Sequence, residues 1–95
     1  MTPEANIESQ FVRAVSRRYA WPCLKLRIDG QNGFPDRTVL TPRGPWFVEF
    51  KRPGGQLSAQ QKRWRRRLES LGYPFELTYS ADDAVQALHA WYSGD

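Results

Sequence analysis

Three residues in the middle of the chain carry the strongest chemical signal. Asp36 follows Pro35, and thirteen positions later Glu49 is followed, after one residue, by Lys51. Two carboxylates supply the hard oxygen ligands that Mg²⁺ or Mn²⁺ prefers, and such a metal polarises a phosphate and activates water. A neighbouring lysine can position that water and offset charge that develops on phosphorus. The set therefore fits phosphodiester hydrolysis, with the backbone carbonyl of Phe50 as a further candidate ligand.

Two predicted strands explain how these residues would meet. Short strands are predicted at residues 37–40 and 46–51. The Pro- and Gly-containing turn between them predicts that the two strands form a hairpin. Because alternate side chains of a strand share a face, Glu49 and Lys51 project together. We expect the hairpin to bring Asp36 near Glu49. The plain alternative is a solvated sheet face with a surface ion pair, since Glu-x-Lys is a common tripeptide.

Periodicity predicts the elements that surround this hairpin. The predicted order is α-β-β-β-α-β-α, with one strand before the hairpin and one after it. The elements are a helix that starts at Thr2-Pro3 and ends before Pro22, a strand at Leu24–Ile28, a helix opened by Ser58 and ended by Gly72, a strand at Phe75–Tyr79, and a helix opened by Ser80. The expected buried residues are Leu24, Leu26 and Ile28 in the first strand, Leu57, Trp64, Leu68 and Leu71 along the second helix, and Val85, Leu88, Trp91 and Tyr92 along the third.

Length and composition limit the class of protein. A chain of 95 residues forms one domain at most, and its thin core leaves room for dimerisation. The formal charge of +4 and the pI of about 9.6 favour a polyanionic partner such as nucleic acid. Cys23 is the single cysteine, so neither an internal disulfide nor a cysteine-rich zinc site is expected. The polar N-terminus and the absence of a long apolar run predict a cytoplasmic protein.

The motifs, taken in order, resemble the VRR-NUC family, the virus-type replication–repair branch of the PD-(D/E)XK nucleases. The resemblance runs from Glu8 to about Tyr79. It rests on Gly33–Arg37, Val48–Lys51, Leu57–Gln61, and then Trp64, Leu68 and Gly72. It implies a restriction-endonuclease-like α/β fold with a mixed central sheet flanked by helices. It also implies Mg²⁺ or Mn²⁺ on Asp36, Glu49 and the Phe50 carbonyl, with Lys51 as the catalytic lysine.

Two further residues gain a role through this resemblance. The family has an acidic residue on its first helix, and Glu8 fits it as a catalytic residue and metal ligand; it shares a helical face with Val12 and Val15. The alternative is a carboxylate in the first turns that favours the helix dipole. Gln61 matches a family position at the active site, where it would orient a carboxylate, Lys51 or water. Ser58-x-x-Gln61 is also a capping box, and both roles are compatible.

Basic residues near these motifs are candidates for phosphate contacts, which dominate affinity for nucleic acids. On the second helix, Lys62, Arg65 and Arg66 share one side, while Arg63 and Arg67 share another. The alternative is a solvated helix face, and Arg37 could instead pair with a carboxylate. The predicted DNA-binding residues are Lys25, Arg27, Arg37, Arg52, Lys62, Arg65 and Arg66.

The expected function is metal-dependent, structure-specific cleavage of DNA. Short members of the family are similar to phage and archaeal Holliday-junction resolvases and tend to be homodimers, so branched DNA and a homodimer are expected. A phage origin would place the protein in the host cytosol. A flap-, nick- or replication-associated nuclease, a restriction-like enzyme, a non-catalytic basic DNA-binding module and a small ribonuclease remain as alternatives.

Overall fold

Three helices and four strands follow one another along residues 1–94, the part of the chain that the computed structural model describes. They are α1 (Pro3–Arg18), β1 (Cys23–Leu24), β2 (Arg37–Thr41), β3 (Gly44–Phe50), α2 (Ala59–Ser70), β4 (Phe75–Thr78) and α3 (Ala81–Ser93). The sheet order is β1-β2-β3-β4, with antiparallel pairs at β1–β2 and β2–β3 and a parallel pair at β3–β4. The predicted fold class and the order α-β-β-β-α-β-α are confirmed.

Each helix begins at a hydroxyl side chain that accepts a hydrogen bond from an otherwise unpaired backbone N–H. Thr2 accepts from Ala5 at α1, Ser58 accepts from Gln61 at α2, and the Ser80 side chain does the same at α3. Pro3 occupies the first turn of α1, where its missing N–H costs no hydrogen bond. Within residues 1–94, none of the helices has the length and apolar character that crossing a membrane requires.

The two faces of β3 pack against different helices. Trp46, Val48 and Phe50 are buried with α1 and α3, in a cluster that includes Phe11 and Leu88. Phe47 faces the other way and packs in a second cluster, whose other buried members are Leu57, Leu68 and Phe75. Because side chains alternate along a strand, Glu49 lies on the same face as Phe47, beneath helix α2. This alternation places the acidic residue in a buried layer.

The first predicted strand is much shorter than expected, which corrects the prediction of a strand at Leu24–Ile28. Only Cys23 and Leu24 pair with β2, and beyond them Ile28 forms one isolated bridge with Gln31. The register pairs Leu24 with Thr38, so Leu26 would fall opposite Asp36, where β2 has not yet begun. Leu24 and Leu26 are accordingly exposed and do not face the core.

Two other expected core residues lie at helix ends. Leu71 is the C-cap of α2 and is 72% exposed, because the chain turns away through Gly72 in the left-handed region. Tyr92 is 37% exposed in the last turn of α3, although its ring still meets Trp21 edge to face. Strand boundaries differ by one or two residues, so that Lys51 lies just beyond the end of β3.

Candidate active site

The Asp36 side chain is hydrogen-bonded to the backbone of strand β3, next to Glu49. The β2–β3 register pairs Arg37 with Val48, which puts Asp36 opposite Glu49 on the same face of the sheet. The Asp36 Oδ2 atom accepts a hydrogen bond from the Phe50 backbone N–H at 2.9 Å. One carboxylate oxygen is thus fixed by the backbone of the strand that carries the other acid. The hairpin brings the two acids together, while their chemical roles stay predictions.

Glu49 is a buried carboxyl group with only one of its two oxygens hydrogen-bonded. Its side chain is 3% exposed. The Oε2 atom accepts a hydrogen bond from Gln61 Nε2 at 3.1 Å. The Oε1 atom is buried and has no hydrogen-bond partner anywhere in residues 1–94. A buried polar atom without a partner in the chain is rare, and an ordered water or a bound ion commonly satisfies it.

The surroundings of Glu49 strongly disfavour its charged form in the metal-free protein. Burial raises the pKa of Glu49 from 4.5 to about 9, and the negative charge of the neighbouring Asp36 acts in the same direction. The positive charge of Lys51 opposes this and lowers the pKa. A cation between the two carboxyl groups would offset the repulsion and satisfy the free oxygen. Two facing carboxylates with an unpartnered oxygen therefore suit a hard divalent cation.

Asp36 and Glu49 form an acid pair that no third His, Cys, Asp or Glu side chain joins within residues 1–94. In the described part of the chain, no group of three or more His, Cys, Asp or Glu residues is arranged to hold a metal ion. A cation at Asp36 and Glu49 would complete its shell with backbone carbonyl and water oxygens. Mg²⁺ usually binds in this way, through one or two carboxylates and several waters.

Gln61 connects the start of helix α2 to Glu49. Its Oε1 atom accepts a hydrogen bond from the Ser58 backbone N–H at 2.8 Å, while its Nε2 atom donates to Glu49. A backbone N–H can only donate, so the capping box decides which end of the amide faces Glu49. One side chain thus caps α2 and contacts Glu49, so the capping box does not prevent contact with a predicted site residue. Catalysis by Gln61 stays a prediction.

Gly33 allows the loop before Asp36 to pack directly against the first turn of α2. A Cβ atom at Gly33 would lie 2.7 Å from the backbone carbon of Gln60 and 2.8 Å from the backbone nitrogen of Gln61. The φ angle of Gly33 is +89°, which also favours glycine. This close approach fixes Asp36, three residues later, relative to the helix that carries Gln61.

Lys51 extends the β3–β4 pairing by one residue. Its backbone N–H donates to the Thr78 carbonyl at 3.0 Å, and its side chain is half-buried. The absence of a side chain at Gly55 leaves room for the Lys51 stem, because a Cβ atom there would lie 3.2 Å from that of Lys51. Lys51 lies near enough to Glu49 for its charge to affect the pKa of that carboxyl. A positive charge thus acts on the Glu49 carboxyl group.

Comparison with known protein families identifies the family to which the chain belongs. The family profile described as VRR-NUC domain matches residues 7–82, which is more than half of the chain. The chain belongs to the VRR-NUC family. Membership implies a nuclease of the PD-(D/E)XK superfamily, and hence a hydrolase with DNA as its substrate; members of the superfamily usually depend on divalent metals.

A solved structure supports the fold of this VRR-NUC domain. That structure, titled VRR_NUC domain, aligns with 97% of this chain and 100% of its own, with a TM-score of 0.86 at 24% sequence identity. At this identity the likeness concerns the fold alone. The search of functionally curated proteins found no match.

In this VRR-NUC domain Glu8 is paired with basic residues. Its Oε2 atom accepts from Arg37 Nε at 2.7 Å and lies 3.5 Å from Lys25 Nζ. Arg37 pairs with Val48 and so lies on the face of the sheet that packs against α1, opposite to Glu49. The structure therefore supplies Glu8 with two cations as partners and does not group it with the acid pair. Its catalytic and metal-binding role stays a prediction.

The remaining predicted DNA-binding residues lie at the surface in different settings. Arg65 pairs with Glu69 at 3.4 Å and stacks over Phe75, on the side of α2 that faces β4. Arg37 is held by Glu8, which is the carboxylate pairing that the sequence left open. Among the predicted DNA-binding residues, those that are exposed and form no ion pair within residues 1–94 are Arg27, Arg52, Lys62 and Arg66.

Sequence reasoning left two features of this VRR-NUC domain unassigned. The first is Thr38, which follows Asp36 on the same face of the sheet and keeps a buried Oγ1 atom that lacks a hydrogen-bond partner within residues 1–94. The second is the α2 cleft, a pocket between one side of helix α2 and the loop before Gly33. Its helical residues Gln60, Arg63, Trp64 and Arg67 recur at offsets of three, four and seven, a signal that the sequence already contained.

Proposed function

We propose that this VRR-NUC domain, over residues 1–95, is a DNA endonuclease that depends on Mg²⁺ or Mn²⁺. The observation that carries the proposal is the carboxyl group of Glu49, which is buried beside Asp36 with one oxygen unsatisfied. Natural proteins seldom retain such a group without a function. The charge and geometry of the pair suit a divalent cation better than any group within the chain.

The proposed metal ligands are Asp36, Glu49 and the Phe50 backbone carbonyl. When bound, the metal polarises the phosphodiester and lowers the pKa of a water ligand. The Phe50 N–H holds one oxygen of Asp36, and the Gln61 amide holds one oxygen of Glu49, so each acid keeps its other oxygen for the metal. These hydrogen bonds also orient the acids before the substrate arrives.

Lys51 supplies a positive charge near Glu49 that can interact with a bound phosphate. We assign it to the scissile phosphate, where an ammonium group can donate to a non-bridging oxygen and hold the attacking water. Charge on those oxygens grows as the new bond forms, so a preorganised donor stabilises the transition state more than the ground state. The half-buried position of Lys51 strengthens this interaction relative to bulk water.

For the substrate, we propose branched DNA cut by a symmetric homodimer in the cytoplasm. Support comes from the exposed leucines at the β1 edge of the sheet. Leu24 and Leu40 lie on the same face of β1 and β2, and they are 37% and 43% exposed. Apolar surface of this kind favours association of two copies. Two-fold symmetry would present two sites to a four-way junction.

A cleavage assay tests both the metal-dependent nuclease activity and the preference for branched DNA. Labelled four-way junction, flap and linear duplex are incubated with the protein in Mg²⁺ or Mn²⁺, with EDTA and the Lys51→Ala variant as controls. Paired cuts in the junction alone, absent from both controls, are the expected result. Cutting of flaps or of all substrates would keep the nuclease and overturn the junction preference. Absence of metal-dependent cutting on every substrate would overturn the nuclease.

Light scattering after size exclusion tests the homodimer separately. The expected mass is twice that of one 11.0 kDa chain. The Leu24→Glu/Leu40→Glu variant should run as a monomer, because charges at an apolar contact are costly to bury. A monomeric wild-type protein at assay concentrations would contradict the symmetric arrangement.

A further inference from the structure

The α2 cleft has a volume of about 260 Å³ and includes Gln60, whose neighbour Gln61 contacts Glu49. One wall is the loop of Gly30, Gln31 and Asn32, and the other is the side of α2 that carries Gln60, Arg63, Trp64 and Arg67. The described lining contains two cationic side chains and three side-chain amides, and it contains no acidic residue. Such a lining suits an anionic ligand with many oxygen acceptors.

The two arginines of the α2 cleft are available to a ligand. Within residues 1–94, neither Arg63 nor Arg67 forms an ion pair with a carboxylate. The guanidinium carbon of Arg67 lies 4.8 Å from the centre of the Trp64 ring. Trp64 in turn meets Phe34 edge to face, with ring centres 5.0 Å apart. Arg67 is thus held by a cation–π contact on a packed ring, which reduces the ordering cost of binding.

The α2 cleft is rigidly connected to the acid pair. The loop that forms its first wall ends at Gly33, which is in direct contact with the backbone of Gln60 and Gln61. Gln60 lines the cleft, whereas its neighbour Gln61 donates to Glu49 on the sheet side of the same helix turn. A strand that lies in the cleft can therefore reach the acids around the first turn of α2.

We infer that the α2 cleft binds the sugar–phosphate backbone of the DNA strand next to the scissile bond. Arg63 and Arg67 each contact one phosphate, and the amides of Gln31 and Asn32 donate to further backbone oxygens. The inference rests on the proposed function for the identity of the ligand. Because all of these contacts are to the backbone, the cleft positions a strand without reading its sequence.

On the other basic side of α2, Arg65 is less available for this role. It already pairs with Glu69 and stacks on Phe75, at the start of β4. Arg63 and Arg67 are one helical turn apart, so they can follow one strand along the helix axis. The path of the DNA thus crosses the side of α2 that carries the cleft.

The test compares two pairs of arginines with the same spacing. Arg63→Gln/Arg67→Gln removes the cleft cations, and Arg13→Gln/Arg17→Gln removes two exposed arginines of α1, on the opposite face of the sheet. Both variants lose two positive charges. Binding of fluorescent single-stranded and junction DNA is measured by anisotropy in EDTA, across a range of salt concentrations. Circular dichroism establishes that each variant is folded.

The cleft variant should bind at least about tenfold more weakly, and its slope of log affinity against log salt should fall by about 1.4 to 1.8, the value for two lost phosphate contacts. The α1 variant should bind within about twofold of wild type. Equal weakening of the two variants, or wild-type binding by the cleft variant, would overturn the inference. If the double variant unfolds, Arg63→Gln alone leaves the Arg67–Trp64 contact in place and should lower the slope by about half as much.

Failure of the proposed function gives a different result. If wild-type protein cut no substrate in any metal but the cleft variant alone lost binding, the nuclease would be wrong and the strand-binding cleft would stand. If cleavage by wild type were efficient but both arginine pairs bound DNA equally well, the nuclease would stand and the cleft would be wrong.

Discussion

The amide of Gln61 donates to Glu49 at 3.1 Å and, through its oxygen, caps the helix on which it lies. One residue therefore joins the first turn of α2 to the buried carboxyl group. Capping and active-site contact are physically inseparable in this side chain, because the cap determines the direction of the N–H bonds. The stability of α2 and the orientation of Glu49 can nevertheless be tested apart.

Ser58→Ala and Gln61→Ala should differ in their effect on activity. Ser58→Ala removes one cap hydrogen bond, so the free energy of unfolding should fall by about 1 kcal/mol. Cleavage should stay within about twofold of wild type, since Gln61 keeps its bond to Glu49. Gln61→Ala should cost similar stability but lower the cleavage rate by about 10- to 100-fold, as expected for a residue that orients a metal ligand. Urea denaturation and single-turnover kinetics provide the two measurements.

Glu49→Gln should stabilise the metal-free protein at neutral pH while abolishing cleavage. The folded protein holds the proton of Glu49 up to a pKa of about 9, whereas the unfolded chain releases it near 4.5. Wild type therefore loses stability as the pH rises from about 4.5 towards 9, and a glutamine, which never ionises, avoids this loss. Melting temperatures in EDTA at pH 5 and pH 8 should show a wild-type deficit that grows with pH.

Added Mg²⁺ gives the complementary measurement on the same pair of proteins. It should raise the melting temperature of wild type at pH 8, because a ligand that binds only the folded state stabilises it. Glu49→Gln should show no such rise, since the amide is a poorer ligand and carries no charge. An equal rise in both proteins would contradict the assignment of Glu49 as a metal ligand.

Lys51→Ala should lower the cleavage rate by about 100- to 1,000-fold, the usual cost of removing one preorganised donor to a transition state. Because the side chain is only half-buried, the melting temperature should change little. Lys51→Arg retains the charge but changes the shape of the donor, so it should recover only part of the rate. A Lys51→Ala protein that is folded and fully active would remove the lysine from the mechanism.

Gly33→Ala should lower the free energy of unfolding more than Gly54→Ala, because the Gly54 replacement introduces backbone strain without a steric clash. Gly54 is the matched control, because its φ angle of +86° is close to the +89° of Gly33 and a Cβ atom there would have no neighbour within 4 Å. Gly54→Ala should cost about 1 kcal/mol of unfolding free energy, and Gly33→Ala about 3, since its methyl group also meets the backbone of Gln60. Only Gly33→Ala should slow cleavage. Similar losses in both variants would contradict the tight loop–helix contact.

The structure shows where local sequence patterns are sufficient and where they fail. The helix starts at Thr2, Ser58 and Ser80 follow from local hydrogen bonding and were predictable. The length of the strand predicted at Leu24–Ile28 was wrong, because alternation of apolar residues does not provide a partner. Its pairing ends at Leu24, since β2 begins only at Arg37. Strand length depends on the neighbouring strand, which lies outside the local sequence window.

The candidate site also combines features that the local sequence predicted with features that it could not predict. The spacing of Asp36 and Glu49 predicted that a hairpin would bring the two acids together, because hairpin geometry is local. The pairing of Glu8 with Arg37 and Lys25 was not accessible, because it depends on how α1 lies on the sheet. The α2 cleft was missed for a related reason, since one of its walls is a loop whose course is set by the Gly33 contact.

The sequence by itself determined the order of helices and strands, the caps that start the helices, and the chemical types at the acid–acid–lysine motif. These features arise from interactions within a few residues or across one short hairpin. Only the tertiary structure decided which oxygen of Glu49 is left unsatisfied, which acid faces the basic residues, and which arginines line a cleft. Each of these depends on burial and on contacts between segments distant along the chain, where desolvation makes small differences in position energetically large.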